Sequence, residues 1–441
     1  MALDPDLLAS ALSRMAGGAR LPIEHLGRLS GGASMESWSF DWGGAGYVLR
    51  RAPSPDMMEG RPYGHDVEAA LVRAARAAGV KAPEVVGELI ASDGLGTGYL
   101  MKRIEAEVSP AAILSAPPPS LLADIAREAA RIHAMDPPAD IAEMDTGEAL
   151  AALRERFENY GGDRPIIALA LKWCGDNLPA TVEPRLVHGD FRMGNLMVGE
   201  GGLEAVLDWE LAHLGDPHED LAWGCVGAWR FGHADEPAFG CGQTAELFAA
   251  YEAAGGGEID PARFRFWLIY RTLWWALGCL QMGEIWRSGV DPGLERAVIA
   301  RRTSENELEL LLLLEEDAPE TQRLPIRPAP SSSPRRIGEP SAVELMEAVR
   351  DWIGSDVKPQ AKGRDRFMAA VAMNALGMLI REQENPVAIH DKPLAADLLA
   401  GRQTLATAGL LAHLRNAVLA KLANDVPKYA GFAAARQKWI A

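Results

Sequence analysis

His188-Gly189-Asp190-Phe191-Arg192-Met193-Gly194-Asn195, followed by Val206-Leu207-Asp208-Trp209-Glu210, constrains this chain more than any other stretch. An aspartate is followed by an asparagine five residues on and by a second aspartate thirteen beyond that. Phosphoryl transfer of the kinase type needs such a set. One carboxylate accepts the proton of an attacking hydroxyl, while an amide oxygen and a second carboxylate hold Mg²⁺ against nucleotide phosphates. Asp190 is therefore the candidate base, and Asn195 and Asp208 are the candidate metal ligands. The apolar runs Leu186-Val187, Leu196-Met197-Val198 and Ala205-Val206-Leu207 read as strands that would fix these groups. A polar turn that caps its own backbone is the plainer alternative, and three correctly spaced groups weigh against it.

A chain of 441 residues with 48% hydrophobic content has room for two or three domains with real cores. Cys174, Cys225, Cys241 and Cys279 are widely spaced with no CxxC pair, which argues against a metal cluster or disulfide framework and fits a reducing compartment. The N-terminus lacks a basic, apolar leader, and the run Phe266 to Leu280 is interrupted by Arg271 and too short to span a bilayer. A soluble cytoplasmic protein without membrane insertion is expected. The net charge is −17, yet residues 341–441 hold 13 basic and 10 acidic residues, so residues 1–340 carry −20. Such an acidic body argues against nucleic acid as a partner. It is compatible with a cationic substrate, although a plain acidic surface explains it as well.

Asp317 to Pro340 contains six prolines and a triple serine, the composition of a semi-extended linker. Upstream, residues 1–105 alternate short apolar runs with glycines, which suits an antiparallel sheet with one helix. Residues 106–316 turn helical: Leu121, Ile125, Ala129 and Ile132 share one face, and Ala245–Ala254, Pro261–Met282 and Glu295–Leu314 follow the same pattern. A β-rich lobe before an α-rich lobe, with the site at their junction, predicts an α+β, two-lobed protein-kinase-like fold. After the 317–340 linker, residues 341–441 read as a small all-helical bundle. Val343, Met346, Val349 and Ile353 recur at helical spacing there, as do Phe367, Val371, Leu376 and Leu379. Leu394 to Leu422 would make one long helix or two. Asn374 in this tail reads as a satisfied buried amide.

The N-terminal lobe would then hold ATP. In Leu29-Ser30-Gly31-Gly32-Ala33-Ser34, the paired glycines Gly31 and Gly32 with Ser30 and Ser34 let a hairpin lie over phosphates, between strands at Ile23–Leu26 and Ser37–Phe40. Tyr47-Val48-Leu49-Arg50 occupies the place of the kinase strand with the phosphate-binding lysine. Alternation sends Arg50 and Arg51 to opposite faces, and Arg50 is the one assigned to the cleft. Glu68, in the helical run His65–Ala78, is the partner expected for Arg50. Backbone groups of Lys102 and Ile104 would meet the adenine edge, with Met101 at the back of the pocket.

These residues resemble the aminoglycoside phosphotransferase/choline kinase group of protein-kinase-like small-molecule kinases. The resemblance covers roughly residues 20–315. It rests on His188-Gly189-Asp190…Asn195, Leu207-Asp208-Trp209-Glu210 and Gly215-Asp216-Pro217…Asp220-Leu221-Ala222. The Leu-Ser-Gly-Gly-Ala-Ser loop, Val48-Leu49-Arg50-Arg51, Trp229-Arg230-Phe231-Gly232 and Glu295-Arg296-Ala297…Arg301-Arg302 resemble one branch more closely. That branch includes kinase-like domains fused to acyl-CoA dehydrogenases, and the tail resembles a helical domain of unknown function. The resemblance implies Asp190 as base, Asn195 and Asp208 as Mg²⁺ ligands, and Arg192 near the transferred phosphate. It also implies a structural His188, with Asp216 and Asp220 bracing the catalytic loop through backbone hydrogen bonds. The Gly-Gly loop, Arg50 in place of lysine, and Asp-Trp-Glu in place of Asp-Phe-Gly depart from protein kinases.

The expected activity is ATP- and Mg²⁺-dependent phosphorylation of a hydroxyl on a small molecule, and a homodimer is compatible with it. Gly224 to Gly283 should build the acceptor pocket, with Trp229, Phe231, Phe266, Trp267, Tyr270, Trp274 and Trp275 beside Arg230 and Arg271. Apolar walls with a few cations suit a hydroxyacyl compound. An aminoglycoside-type antibiotic kinase is one alternative. A nucleotide-binding pseudokinase or scaffold acting through the tail is another.

Overall fold

Asp4 starts the first element of the computed structural model, in which residues 3–29, 35–58, 60–138, 141–291, 293–327, 341–387 and 390–440 are described. Its carboxylate accepts from the backbone N–H groups of Asp6 (2.8 Å) and Leu7 (3.3 Å). Pro5 opens helix α1 (Pro5–Ala16), and Gly17 at φ 67° closes it. The sequence reading allowed one helix in this region, so α1 is an addition, although its cap residues carried the signal. Leu8, Ala11 and Leu12 of α1 pack with Phe40, Leu49 and Leu100 of an antiparallel sheet. The sheet comprises β1 (Ile23–Arg28), β2 (Glu36–Trp42), β3 (Ala45–Ala52), β4 (Val85–Glu88) and β5 (Thr97–Lys102), in the order β1-β2-β3-β5-β4. Helix α2 (His65–Ala77) contacts β4 and β5 and buries Glu68, Leu71 and Val72.

Two compact units divide the chain. The first comprises Met1–Met144, Thr181–Cys225 and Glu236–Asp260; the second comprises Asp145–Ala180, Val226–Asp235 and Pro261–Ala441. In the first unit, α3 (Pro110–Ser115) leads into α4 (Leu121–His133), which buries Leu121, Ile125, Ala129 and Ile132 as the periodicity predicts. Helices α5 (Thr146–Tyr160) and α6 (Pro165–Asp176) belong to the second unit. Four short strands of the first unit follow: β6 (Arg185–Val187), β7 (Leu196–Gly199), β8 (Gly202–Val206) and β9 (His213–Gly215). β6 pairs with β9, and β7 pairs with β8. Helices α7 (His218–Cys225) and α8 (Thr244–Ala253) complete this unit.

The second unit continues with α9 (Pro261–Arg287), α10 (Leu294–Arg301), α11 (Thr303–Leu314), α12 (Ala342–Trp352), α13 (Gly363–Glu384), α14 (Lys392–Leu399), α15 (Leu410–Asp425) and α16 (Ala430–Trp439). The run Glu295–Leu314 is two helices rather than one, broken where Arg302 flattens to ψ −4°. Leu394–Leu422 resolves into α14 and α15. The helices after residue 341 share this unit with α6, α9, α10 and α11, and α11 packs against α9, α15 and α16. Val349, Phe367 and Leu379 do not face a core but are 47%, 50% and 44% exposed, and Asn374 is exposed rather than a buried amide. Helical spacing identifies an apolar face without saying what covers it. The tail core uses Leu398, Leu411, Leu414, Val418 and Leu422 instead.

The fold is α+β and protein-kinase-like, with a β-sheet N-terminal part and a helical C-terminal part. Among the described residues, no helix is long and apolar enough to cross a membrane. The four cysteines are free thiols.

Candidate active site

The loop from His188 to Asn195 is fixed by helix α7. Asp220 accepts from the backbone N–H of His188 (2.6 Å) and of Gly189 (2.9 Å), and His133 Nε2 lies 3.1 Å from the same carboxylate. Burial alone would raise the Asp220 pKa, but the hydrogen bond and charge of His133, with the His188 contacts, hold it below the usual range. Gly189 has φ +77°, and a Cβ there would lie 2.1 Å from the Leu211 carbonyl oxygen, so only glycine fits. His188 Nδ1 accepts from the Asp190 N–H (3.2 Å), which leaves Nε2–H to donate to the Leu207 carbonyl (3.0 Å). Burial pushes its pKa down, so the ring is neutral and structural. Asp216 accepts from the backbone N–H (3.0 Å) of His218 and lies 2.7 Å from its Nδ1.

Both oxygens of Asp190 are oriented by donors. Arg192 Nε (2.8 Å) and Trp223 Nε1 (2.6 Å) reach Oδ1, and Asn195 Nδ2 (2.6 Å) reaches Oδ2. Trp223 was not among the sequence candidates. The available signal was its place three residues after Asp220, on the same face of α7. One helical turn thus holds the loop backbone through Asp220 and the Asp190 carboxylate through Trp223.

Because Asn195 turns its amide nitrogen to Asp190, its oxygen points elsewhere. Its backbone carbonyl accepts from Leu207 N (2.8 Å), continuing the β7–β8 pairing. That hairpin delivers Asp208, which sits at φ +67°, a strained conformation for a residue with a side chain.

Arg50 ties the sheet to this hairpin. Its Nη2 bonds Asp208 Oδ1 (2.7 Å) and Glu210 Oε2 (2.6 Å), and its Nε forms an ion pair with Glu68 Oε1 at 3.1 Å. Burial opposes its charge, but Asp208, Glu68 and Glu210 outweigh burial and keep it protonated. Arg51, on the opposite face, pairs with buried Glu36 (2.9 Å), while Arg50 lines the cavity. Arg61, a second residue missed by sequence reasoning, bonds Glu210 at 2.5 Å. Burial pushes Asp208 up to about 7; Arg50 opposes this, and the carboxylates of Glu210, Asp190 and Glu68 reinforce it.

A carboxylate raised by burial and by its acidic neighbours, lining the same cavity as an asparagine, is a hard-oxygen donor set that fits a divalent cation. Among the described residues, no group of three or more His, Cys, Asp or Glu forms a self-contained metal centre. Such a cation would therefore take its remaining ligands from a nucleotide and water.

A cavity of about 460 Å³ in this unit is lined by Val48, Arg50, Met101, Lys102, Ile104, Asn195 and Asp208, with Val72, Met197 and Leu207. The backbone N–H of Lys102 donates to the Glu84 carbonyl (2.9 Å), which removes that donor from adenine recognition. Ile104 lies past the end of the β3–β5 ladder. Ser30, Gly31, Gly32 and Ser34 lie outside the described residues. In the second unit, three of the aromatic residues expected to wall an acceptor pocket are core: Phe266, Trp267 and Tyr270 pack on one another and are at most 2% exposed. Trp229 lies beside Trp275 (5.0 Å between rings), Arg271 lies over Trp274 (4.8 Å), and Phe231 is exposed.

A β-sheet carrying Arg50, a loop carrying Asp190 and Asn195, and a hairpin carrying Asp208 define a protein-kinase-like phosphotransferase. The chain belongs to the phosphotransferase enzyme family, whose model matches residues 25–267, more than half of its length. It is 30% identical over 199 residues to mouse acyl-CoA dehydrogenase family member 10, and 30% identical over 213 residues to chicken acyl-CoA dehydrogenase family member 11. These matches span 41% and 44% of this chain but only 18% and 27% of the relatives, so the chain corresponds to less than a third of their length. Among solved structures, a protein of Ralstonia eutropha JMP134 classed as a candidate aminoglycoside phosphotransferase shares the fold. The TM-score is 0.54 at 20% identity, covering 69% of this chain and 96% of that one.

Proposed function

We propose that this protein transfers the γ-phosphoryl group of Mg·ATP to a hydroxyl of a small molecule. The observation that carries this reading is the convergence of Arg50, Asn195 and Asp208 on one cavity, with Asp190 hydrogen-bonded to Asn195. Asp190 accepts the proton of the acceptor hydroxyl and orients its oxygen for in-line attack. Asn195 and Asp208 would hold Mg²⁺, which neutralises phosphate charge when bound. Arg50 grips phosphate oxygens from the sheet side, with Glu68 fixing its approach, and Arg192 sits beside the base to meet the transferred group. Met101 and Ile104 contribute the adenine side. Catalysis comes mostly from positioning and charge neutralisation. The intact base and metal ligands speak against a pseudokinase.

For the acceptor, the second unit supports a hydroxyacyl compound, a hydroxy fatty acid or its CoA thioester. Phe231, Trp274 and Trp275 are at least partly exposed apolar residues of the kind an acyl chain would need, with Arg230 nearby in sequence, while Trp229 and Arg271 are buried. The names of the acyl-CoA dehydrogenase relatives point to acyl chemistry as well. A cationic aminoglycoside would call for carboxylates in their place. Parallel assays with Mg·ATP and either a 4-hydroxyacyl-CoA or kanamycin, reading ADP release and product mass, test this. Turnover of kanamycin with none of the acyl compound refutes the acceptor, and no turnover across a broad panel of hydroxylated metabolites refutes the kinase reading.

A further inference from the structure

Helix α2 begins at a second cavity, one that the proposed phosphotransfer leaves unused. It has a volume of about 500 Å³, lies wholly within the first unit and shares no lining residue with the cavity that Arg50 and Asp208 line. That volume is in the range of small-molecule sites. Arg61, Tyr63, His65, Asp66, Glu88 and Thr97 are among its walls. His65 is 4% exposed, and its Nδ1 lies 3.1 Å from Thr97 Oγ1. Its Nε2 is buried and has no hydrogen-bond partner among the described residues. Buried polar atoms are as a rule paired, so an orphaned one on a residue of a cavity wall marks a place for a ligand atom. Burial, with the charges of Arg50 and Arg61, pushes the pKa of this ring down to about 4, so it is neutral. The helix end adds donors, because Gly64 is the N-cap of α2 and no side chain caps its first turn.

The walls also limit the charge of an occupant. Asp66 and Glu88 disfavour an anion, and Asp66, in the first turn of α2, already complements the helix dipole. Arg61 disfavours a cation. A neutral molecule remains. Hydroxyl groups both donate and accept, so they match carboxylates and a guanidinium alike and meet Nε2 of His65 in either tautomer. Tyr63 adds aromatic surface. Two links run from this cavity to Arg50. Arg61 bonds Glu210 (2.5 Å), which also accepts from Arg50 (2.6 Å). Glu68, which pairs with Arg50 at 3.1 Å, lies one turn after His65 on α2.

We propose that this cavity is a regulatory site for a neutral, polyhydroxylated molecule of monosaccharide size, held by Arg61, Tyr63 and His65 at the start of α2, whose binding adjusts the hold of Arg50 on nucleotide phosphate. The coupling, though not the site, rests on the phosphotransferase reading given above. An occupant that draws on Arg61 or shifts the first turn of α2 changes the Glu210 and Glu68 contacts that position Arg50. The nucleotide in turn changes the affinity for the occupant by the same factor.

Saturation-transfer NMR on the full chain tests the site, with myo-inositol and glucose as neutral probes and glucose 6-phosphate and glucosamine as charged ones. The neutral probes should bind, and both charged ones should bind more weakly. Affinity for the neutral probes should fall about tenfold in His65→Phe and in Tyr63→Ala, the effect of losing one or two neutral hydrogen bonds. Tyr63 is only half-buried, so Tyr63→Ala decides the matter where circular dichroism shows His65→Phe to be unfolded. No transfer to either neutral probe, unchanged affinity in the folded variants, or tighter binding of a charged probe overturns the site. Calorimetry reads the coupling. Saturating myo-inositol should shift the Kd for Mg·AMP-PNP about fivefold in the wild-type chain and leave it unmoved in His65→Phe. A wild-type Kd unmoved by a bound neutral probe overturns the regulation. If the wild-type chain binds no Mg·AMP-PNP at all, the phosphotransferase reading fails instead, and the NMR result alone then decides the site.

Discussion

The indole N–H of Trp223 donates to Oδ1 of Asp190 at 2.6 Å, three residues along α7 from the carboxylate that accepts the N–H groups of His188 and Gly189. The proposed base is thereby oriented from behind by a buried aromatic donor. Trp223→Phe keeps most of the ring volume and removes that donor. We expect kcat to fall about tenfold, within the range that misorientation of a base costs, while Mg·AMP-PNP binding holds. If kcat is unchanged, Trp223 is only packing.

Asp190→Asn should retain the fold and nucleotide binding but lose about 10²–10⁴-fold in turnover, because an amide accepts no proton from the acceptor hydroxyl. The measurement is single-turnover phosphotransfer at saturating acceptor. Near wild-type turnover would remove Asp190 from the role of base.

Asp208, the proposed metal ligand, would couple metal binding to pH. Burial and the acidic neighbours hold it near 7 in the folded protein, above its ordinary 3.8. The folded chain thus keeps a proton that the unfolded chain has already released. Stability from this group is full below about pH 4 and is lost as pH rises through about 7. Metal binding needs the ionised carboxylate, so Mg²⁺-dependent AMP-PNP affinity should rise up to about tenfold per pH unit below 7 and level off above it, with a proton released. Calorimetry in buffers of differing ionisation enthalpy reads that proton. Asp208→Ala should abolish Mg²⁺-dependent binding more severely than Asn195→Ala. Tight, pH-independent Mg·AMP-PNP binding by Asp208→Ala would exclude it as a ligand.

Arg415 is 2% exposed and bonds Glu315 through two nitrogens and the Leu324 carbonyl through a third. Arg415→Ala leaves buried Glu315 with Lys438 and Trp439 as partners and should cost about 1.5–3 kcal/mol in denaturant unfolding, the loss of charge-assisted hydrogen bonds. Residues 341–441 would then be integral to the second unit. A loss below about 1 kcal/mol, the level of a surface pair, would mean the tail is loosely attached.

Much of the site was legible along the chain because its critical spacing is local. Asp190, Asn195 and Asp208 lie on one loop and one hairpin, so their offsets translate directly into proximity. Arg50 could be chosen over Arg51 because strand alternation is fixed by the pleat. Two features depended on partners. The N–H of Lys102, a residue that lines the cavity, is taken by the Glu84 carbonyl, a pairing that no local pattern announces. Aromatic spacing along α9 could not tell the core residues Phe266, Trp267 and Tyr270 from pocket-lining ones, because what packs against a helix face is set by other elements.

The sequence by itself determined the spacing of the candidate set Asp190, Asn195 and Asp208, the strand that carries Arg50 and the helical character of the second half, because each follows from short-range periodicity or spacing. Only the tertiary structure decided which charges meet. Arg50 joins Asp208 across 158 residues, and Tyr429 joins Glu309 across 120. Such pairs depend on how whole elements pack. Burial then decides their weight, since a charge removed from water must find its partner wherever the fold supplies one.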